Sequence, residues 1–255
     1  LDWADELAAE QSRPLRVLIS EVDATQVFEA TSDWHVAKMA ELEADARDRI
    51  AGARTAHAEL EMVSIPPTQV LIEASSRAGT VVVGARGHSL LSGVVLGSVS
   101  QHVARHASCP VVVARTPYDP ESTRVVVGVD GSTGSRKALE FAFEHAARHG
   151  DEVTAIHAWR NASRDFSSES LVEEIRAAER ILAEALAGFA EQFPAVKVNS
   201  EAVPTAPSRV LADASQAAAL VVVGSRGLGA FAGLLLGSVS QSVLHHAQCP
   251  VAVVR

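Results

Sequence analysis

The chain has 255 residues, 47% of them hydrophobic and 21% charged, a globular balance with material for two ordinary domains. Its net charge of -9 at pH 7, with no Lys/Arg run, argues against a nucleic-acid partner. Two cysteines, Cys109 and Cys249, both in Cys-Pro-Val, make no disulfide framework and fit a reducing cytosol; no apolar run reaches the roughly 18 residues of a membrane span, and no signal-peptide pattern opens the chain.

In chain order, Leu1 to Ser20 (LDWADELAAEQSRPLRVLIS) aligns with Leu139 to Ala158 (LEFAFEHAARHGDEVTAIHA), so the chain opens inside a helix and runs into a strand. Val81 to Arg115 (VVVGARGHSLLSGVVLGSVSQHVARHASCPVVVAR) aligns without a gap with Val221 to Arg255 (VVVGSRGLGAFAGLLLGSVSQSVLHHAQCPVAVVR), 21 of 35 positions being identical. The chain is therefore a tandem repeat: one domain over 1–115, a Pro-bearing linker over 116–123 (TPYDPEST), and a second domain over 124–255.

The second copy gives the fuller series. Arg124 to Asp130 is a buried strand, Gly131 to Ser135 a turn and cap, and Arg136 to His149 a helix. Glu152 to Trp159 is a strand, and Ser168 to Phe193 one long helix with Leu171, Ile175, Leu182, Leu186 and Phe189 on its apolar face. A strand over Val196 to Val203, a helix over Ser208 to Ala217 and a strand over Leu220 to Gly224 follow. A helix over Val239 to His246 and a strand over Val251 to Val254 close the series. Strand–helix alternation with uniformly apolar strands predicts parallel sheets covered on both faces. The first copy lacks a counterpart of the Val125 to Asp130 strand, which lies in the middle of a doubly wound sheet. With Leu1 in place of Met, this predicts that a strand of roughly five or six residues, and its turn, precede Leu1.

Both copies contain Gly-x-x-Gly, nine residues, then Gly-Ser: Gly84, Gly87, Gly97 and Ser98, and again Gly224, Gly227, Gly237 and Ser238. Gly224 ends a strand at its carboxyl edge, where doubly wound sheets bind ligands. Gly224 and Gly227 are read as adopting backbone angles closed to other residues and as leaving no Cβ in a ligand's way. Gly237 and Ser238 open a helix whose first amides are unpaired and carry about half a positive charge, a cradle for polyphosphate that needs no lysine. Ser240, and Ser98 and Ser100 in the first copy, offer further hydroxyl donors. No Gly-x-x-x-x-Gly-Lys-Ser/Thr occurs, which excludes a P-loop. Gly227-Leu228-Gly229 imitates a dinucleotide fingerprint, but the first copy reads Gly87-His88-Ser89 there and the position is not the first strand–helix turn.

The long glycine pattern, together with Val127-Gly128-Val129-Asp130-Gly131-Ser132, resembles the ATP-binding class of universal stress proteins over nearly the whole chain. The resemblance implies two doubly wound five-stranded parallel sheets of order 3-2-1-4-5, the Rossmann-like, adenine nucleotide alpha hydrolase-like α/β fold. It also implies ATP, with or without Mg2+, at the strands' carboxyl ends, pairing through the last strand, a cytoplasmic location and a role in stress responses. Carried over by position, Gly128 and Asp130 lie by the ribose and phosphates, and Ala158 lines the adenine pocket, with Ser20 as its counterpart. Gly224, Ser225, Arg226, Gly227, Gly237, Ser238, Val239 and Ser240 take the phosphates of the second site. Gly84, Arg86, Gly87, Gly97, Ser98, Val99 and Ser100 take those of the first. Two departures stand out: the first copy has no Asp at the position of Asp130, and Thr205-Ala206-Pro207 replaces the family's Gly-x-Pro.

Bland alternatives accompany each signal. The bland readings are the glycines as tight turns only, Asp130 as a helix cap, and Arg86 and Arg226 as solvated side chains. Cys109 and Cys249 read as buried thiols at strand starts, His157 as a core histidine, and His106, His245 and His246 as surface or packing residues; no metal site is expected. The favoured function is an ATP-binding regulatory module, not an enzyme. The alternatives are a slow ATP hydrolase or self-phosphorylating enzyme, which lacks an evident base or arginine finger, and a scaffold binding another adenine nucleotide such as cyclic AMP. The two copies are expected to pack about a pseudo-twofold axis, and the whole chain to form a closed homodimer.

Overall fold

The computed structural model describes residues 1–21, 33–85, 96–115, 122–160, 168–229 and 235–255, and these fall into two compact units, Leu1–Ala78 and Gly79–Arg255. The first unit contains α1 (Asp2–Glu10), β1 (Leu15–Ser20), α2 (Asp33–Ala51), β2 (Ala58–Val63) and α3 (Pro67–Ser75). β1 and β2 pair in parallel, from Leu15 opposite Ala58 to Ser20 opposite Val63. The Asp5 carboxylate accepts from the amides of Arg54 and Thr55 at 2.8 and 3.0 Å, which fixes α1 against the turn entering β2. Pro67 starts α3, where its missing N–H and fixed φ cost the helix nothing.

The second unit holds β3 (Val81–Gly84), α4 (Ser98–His106), β4 (Val111–Ala114), β5 (Arg124–Gly128), α5 (Thr133–His149), β6 (Glu152–Ala158), α6 (Ser168–Leu186) and α7 (Phe189–Gln192). It continues through β7 (Val198–Val203), α8 (Pro207–Ala214), a 3-10 turn (Ser215–Ala217), β8 (Leu220–Gly224), α9 (Ser238–His246) and β9 (Val251–Val254). Its sheet has seven strands in the order β3-β4-β9-β8-β5-β6-β7. Within it the second copy runs β7-β6-β5-β8-β9, the expected doubly wound 3-2-1-4-5, parallel throughout. β5 pairs with both β6 and β8 and forms the hub of this copy. The first copy has no strand equivalent to β5 among the described residues, and its strands are shared between the two sheets. Consecutive β-branched residues are what a sheet covered on both faces requires: Val125 to Val127, Val221, Val222 and Val251 to Val253 are completely buried with Ala252. α5 and α6 pack on one face of this copy, and α8, in contact with α9, on the other.

The long helix expected over Ser168 to Phe193 ends at Leu186. Gly188 takes the left-handed conformation, φ 85°, and α7 starts anew. The break turns Phe189 onto Phe143 of α5, ring centroids 4.6 Å apart, and buries both.

β4 and β9 are equivalent strands of the repeat, and they pair antiparallel: Val111 opposite Val253, Val112 opposite Ala252, Val113 opposite Val251. That register is self-complementary about Val112 and Ala252, so the repeat motifs meet about a local twofold. The flanking contacts obey it. The Arg115 guanidinium donates to the Leu244 carbonyl, and the Arg255 guanidinium to the carbonyl of Ala104, the residue equivalent to Leu244, at 2.8 Å. His245 sits at this junction, its Nε2 3.2 Å from Nε2 of Gln101. Among the described residues no helix is long and apolar enough to cross a membrane.

Candidate functional site

The carboxyl ends of β5, β6 and β8 bring together most of the residues of the second-copy pattern. Gly128 ends β5 and Asp130 follows it, Ala158 ends β6, and Gly224 ends β8 with Ser225 to Gly227 leaving it. β5, with neighbours on both sides whose chains continue in opposite directions, is the switch point at which open α/β sheets place ligands.

Two helix N-termini meet there. α9 starts at Ser238 with Gly237 as N-cap and no side chain on its first amides, and Ser238 is exposed. α5 starts against the same loop: a Cβ on Gly224 would meet the Gly134 carbonyl carbon at 2.7 Å, and one on Gly134 would meet the Arg226 oxygen at 2.5 Å. The segment Gly224–Gly227 is thus packed against one helix N-terminus and leads to another.

This geometry corrects the reason for the glycines. Neither Gly224 nor Gly227 has a positive φ; in this loop system Gly131 does, at 80°. Gly224 is glycine because the first turn of α5 lies against it. Gly227 is glycine because a Cβ there would meet the Asp130 Oδ2 at 2.1 Å. At Gly237 a Cβ would find only ordinary contacts, the nearest being the Ser225 oxygen at 3.5 Å.

Asp130 is not the helix cap. Ser132 is the N-cap of α5, its hydroxyl accepting from the Ser135 amide at 3.2 Å. Asp130 Oδ1 accepts from the Ser132 amide at 3.0 Å and hydroxyl at 2.6 Å, and Oδ2 accepts from the Leu228 amide at 3.0 Å. Burial pushes its pKa up, but these hydrogen bonds outweigh burial and hold it below the ordinary carboxylate value. The group is an ionised, fixed acceptor beside the glycine loop.

The serines divide into two kinds. Ser240 is buried and donates to the Gly224 carbonyl at 2.6 Å; Ser100 does the same to the Gly84 carbonyl. These hydroxyls fasten helix to strand and are not offered to a ligand as donors, contrary to expectation. Ser238 and Ser98 are exposed at the helix starts, next to Val239 and Val99. Ser225 is buried, its amide donating to Val254 and its carbonyl accepting from Gly237 at 2.7 Å. Arg226 is exposed on the loop. In the first copy Gly97 caps α4 as Gly237 caps α9, and its amide donates to Ala85 at 2.8 Å. Arg86 and Gly87 lie outside the described residues. Ser20 belongs to the other compact unit, where its hydroxyl donates to the Ile65 carbonyl at 2.7 Å.

Sequence reasoning missed Leu228, which contributes through its backbone amide, and Gly134, whose neighbour is distant in the chain. It also placed His157 in the core, whereas this residue is half-buried, with Nδ1 donating to the Val129 carbonyl at 2.7 Å and its ring stacked near Trp159. Both cysteines are free and buried as expected, and burial pushes the Cys249 thiol up to about 12.

The sequence profile of the universal stress protein family matches residues 1–115 and 121–255. The chain belongs to the universal stress protein family. It is 40% identical over 220 residues to universal stress protein Rv2005c of Mycobacterium tuberculosis (strain ATCC 25618 / H37Rv), spanning 82% of this chain and 73% of that one. It is 40% identical over 211 residues to universal stress protein Rv2623 of the same strain, spanning 80% and 70%. Among solved structures, a universal stress protein from Archaeoglobus fulgidus DSM 4304 shares the fold at TM-score 0.63 and 23% identity, covering 100% of this chain and 92% of that one. PA1789 from Pseudomonas aeruginosa PAO1, whose structure is described as that of a functionally unknown protein, does so at TM-score 0.66 and 18% identity, covering 99% and 85%.

Proposed function

We propose that this universal stress protein binds ATP at the carboxyl edge of its second copy and acts as a nucleotide-dependent regulatory module. The observation that carries the reading is the meeting of the α5 and α9 N-termini on the Gly224–Gly227 loop, with Asp130 fixed beside it. The first amides of α9, which have no side-chain cap, suit a polyphosphate. In this reading the Val239 amide, the Ser238 hydroxyl and Arg226 hold phosphate oxygens. Asp130, ionised and acceptor-only, takes ribose hydroxyls or a Mg2+ riding on the phosphates. Ala158, small at the end of β6, leaves room for the adenine. The working unit is the domain over 124–255, and the reading extends to a cytoplasmic homodimer.

Gly237 provides a clean test, since the fold tolerates a Cβ there. Gly237→Val should fold, at a cost of about 1 kcal/mol for the poorer N-cap residue, yet lose ATP-dependent stabilisation. In the parent, ATP at tenfold excess over its dissociation constant should add about 1.4 kcal/mol. An ATP-induced shift of equal size in the variant would overturn the assignment.

A further inference from the structure

The opposite end of α5 carries a second cluster. His145 and His149 are one helical turn apart, their ring centroids 4.0 Å from each other. Gly150 ends the helix in the left-handed conformation, φ 75°, and the Asp151 amide donates back to the Ala146 carbonyl at 3.0 Å. The tight reversal folds Asp151 alongside the helix's last turn. One ligand atom from each of His145, His149 and Asp151 lies within 4.8 Å of the others.

We propose that His145, His149 and Asp151 form a binding site for a divalent transition metal of the zinc class. Two imidazoles and one carboxylate are the donor set that Zn2+, Co2+ and Ni2+ take in preference to Mg2+ or Ca2+, which seek oxygen alone. Three protein ligands leave a position for water, and the exposed side of His149 gives solvent its access.

The surroundings suit coordination. Nδ1 of His149 is 2.9 Å from the His145 carbonyl, which can only accept, so the ring proton sits on Nδ1 and the Nε2 lone pair remains for a metal. His145 and Asp151 are 5% and 9% exposed.

His102 and His106 supply an internal comparison. They repeat the helical pair, with ring centroids 4.1 Å apart and Nδ1 of His106 2.8 Å from the His102 carbonyl. Among the described residues, however, no carboxylate joins them into a three-ligand group. The Gly-Asp reversal after α5 is what distinguishes the proposed site. It lies about 25 Å from the Ser132 end of α5, at the rise of 1.5 Å per residue over its 17 residues. The site is therefore separate from the glycine loop and independent of the nucleotide reading.

The test is competition for Zn2+ against a chromophoric chelator, with Co2+ absorption as the coordination probe, on the full chain free of any affinity tag. The parent should take one Zn2+ per chain at this site and show the strong visible bands of low-coordinate Co2+. His149→Ala and Asp151→Asn should each weaken Zn2+ at least tenfold, since even displaced outer-shell partners cost about 10–100-fold. His106→Ala should leave that binding intact. His149 is exposed, so its alanine variant should keep the metal-free melting temperature and remain informative if Asp151→Asn folds poorly. Absence of Zn2+ binding in the parent, unchanged affinity in His149→Ala, or loss confined to His106→Ala would overturn the proposal.

Discussion

The carboxylate of Asp130 accepts a hydrogen bond from the amide of Leu228 at 3.0 Å, joining the turn after β5 to the loop after β8 across 98 residues of sequence. Gly227 makes the join possible, because any Cβ there would fall 2.1 Å from the same carboxylate oxygen. Gly227→Ala should therefore break the tie. The expected result is a loss of stability of about 1–3 kcal/mol, the cost of disturbing a charged hydrogen bond, together with a larger loss of ATP affinity. Urea denaturation with and without ATP measures both.

The same carboxylate sets a pH signature. Its folded pKa lies below the ordinary value of 3.8, so its contribution is complete above that value and is lost as pH falls through the folded pKa. Asp130→Asn should be less stable than the parent at pH 7, and the gap should narrow as pH falls from about 5 towards 2. Urea midpoints at a series of pH values check this; a constant gap would contradict it.

Ser240 and Ser238 should behave oppositely. Ser240→Ala removes the bond to the Gly224 carbonyl and should cost about 1 kcal/mol of stability without a specific loss of ATP affinity. Ser238→Ala, at an exposed helix start, should leave stability unchanged and weaken ATP by roughly tenfold, the worth of one hydrogen bond to a charged group. Paired melting and titration experiments distinguish them.

The buried thiols should be inert. Burial raises both cysteine pKa values, so little thiolate exists in the native state at pH 8. A disulfide exchange reagent should label Cys109 and Cys249 only at the rate of unfolding, with both becoming reactive in denaturant. Fast native labelling of either would contradict the burial seen here.

The second copy was legible because β5, β8 and β9 are continuous runs of apolar, mostly β-branched residues and α5 carries its cap close in sequence. β8 and β9 match their expected bounds, and Ser132 lies in the expected cap segment. What escaped depended on neighbours distant in the chain. The pattern shows that positions 224 and 227 are glycine, but not that the α5 backbone and the Asp130 carboxylate are the reason. A serine in Gly-Ser-Val-Ser looks equally available at either position, although Ser240 is committed to a carbonyl. Gly188 inside an apolar periodic stretch reads as a tolerated helix residue, and the packing of Phe189 on Phe143 determines the break. The pairing of Asp151 with the histidines behind it depends on the Gly150 reversal, which a helical pattern ending at His149 does not display.

The most direct test of the central claim is equilibrium titration of ATP into the 255-residue chain, with stoichiometry read from the breakpoint and the titration repeated on Gly237→Val. The chain carries one Asp in the position of Asp130, so the account predicts one ATP per chain, lost in the variant while its cooperative melting transition is retained. No binding at millimolar ATP, or equal binding by the Gly237→Val chain, would contradict it.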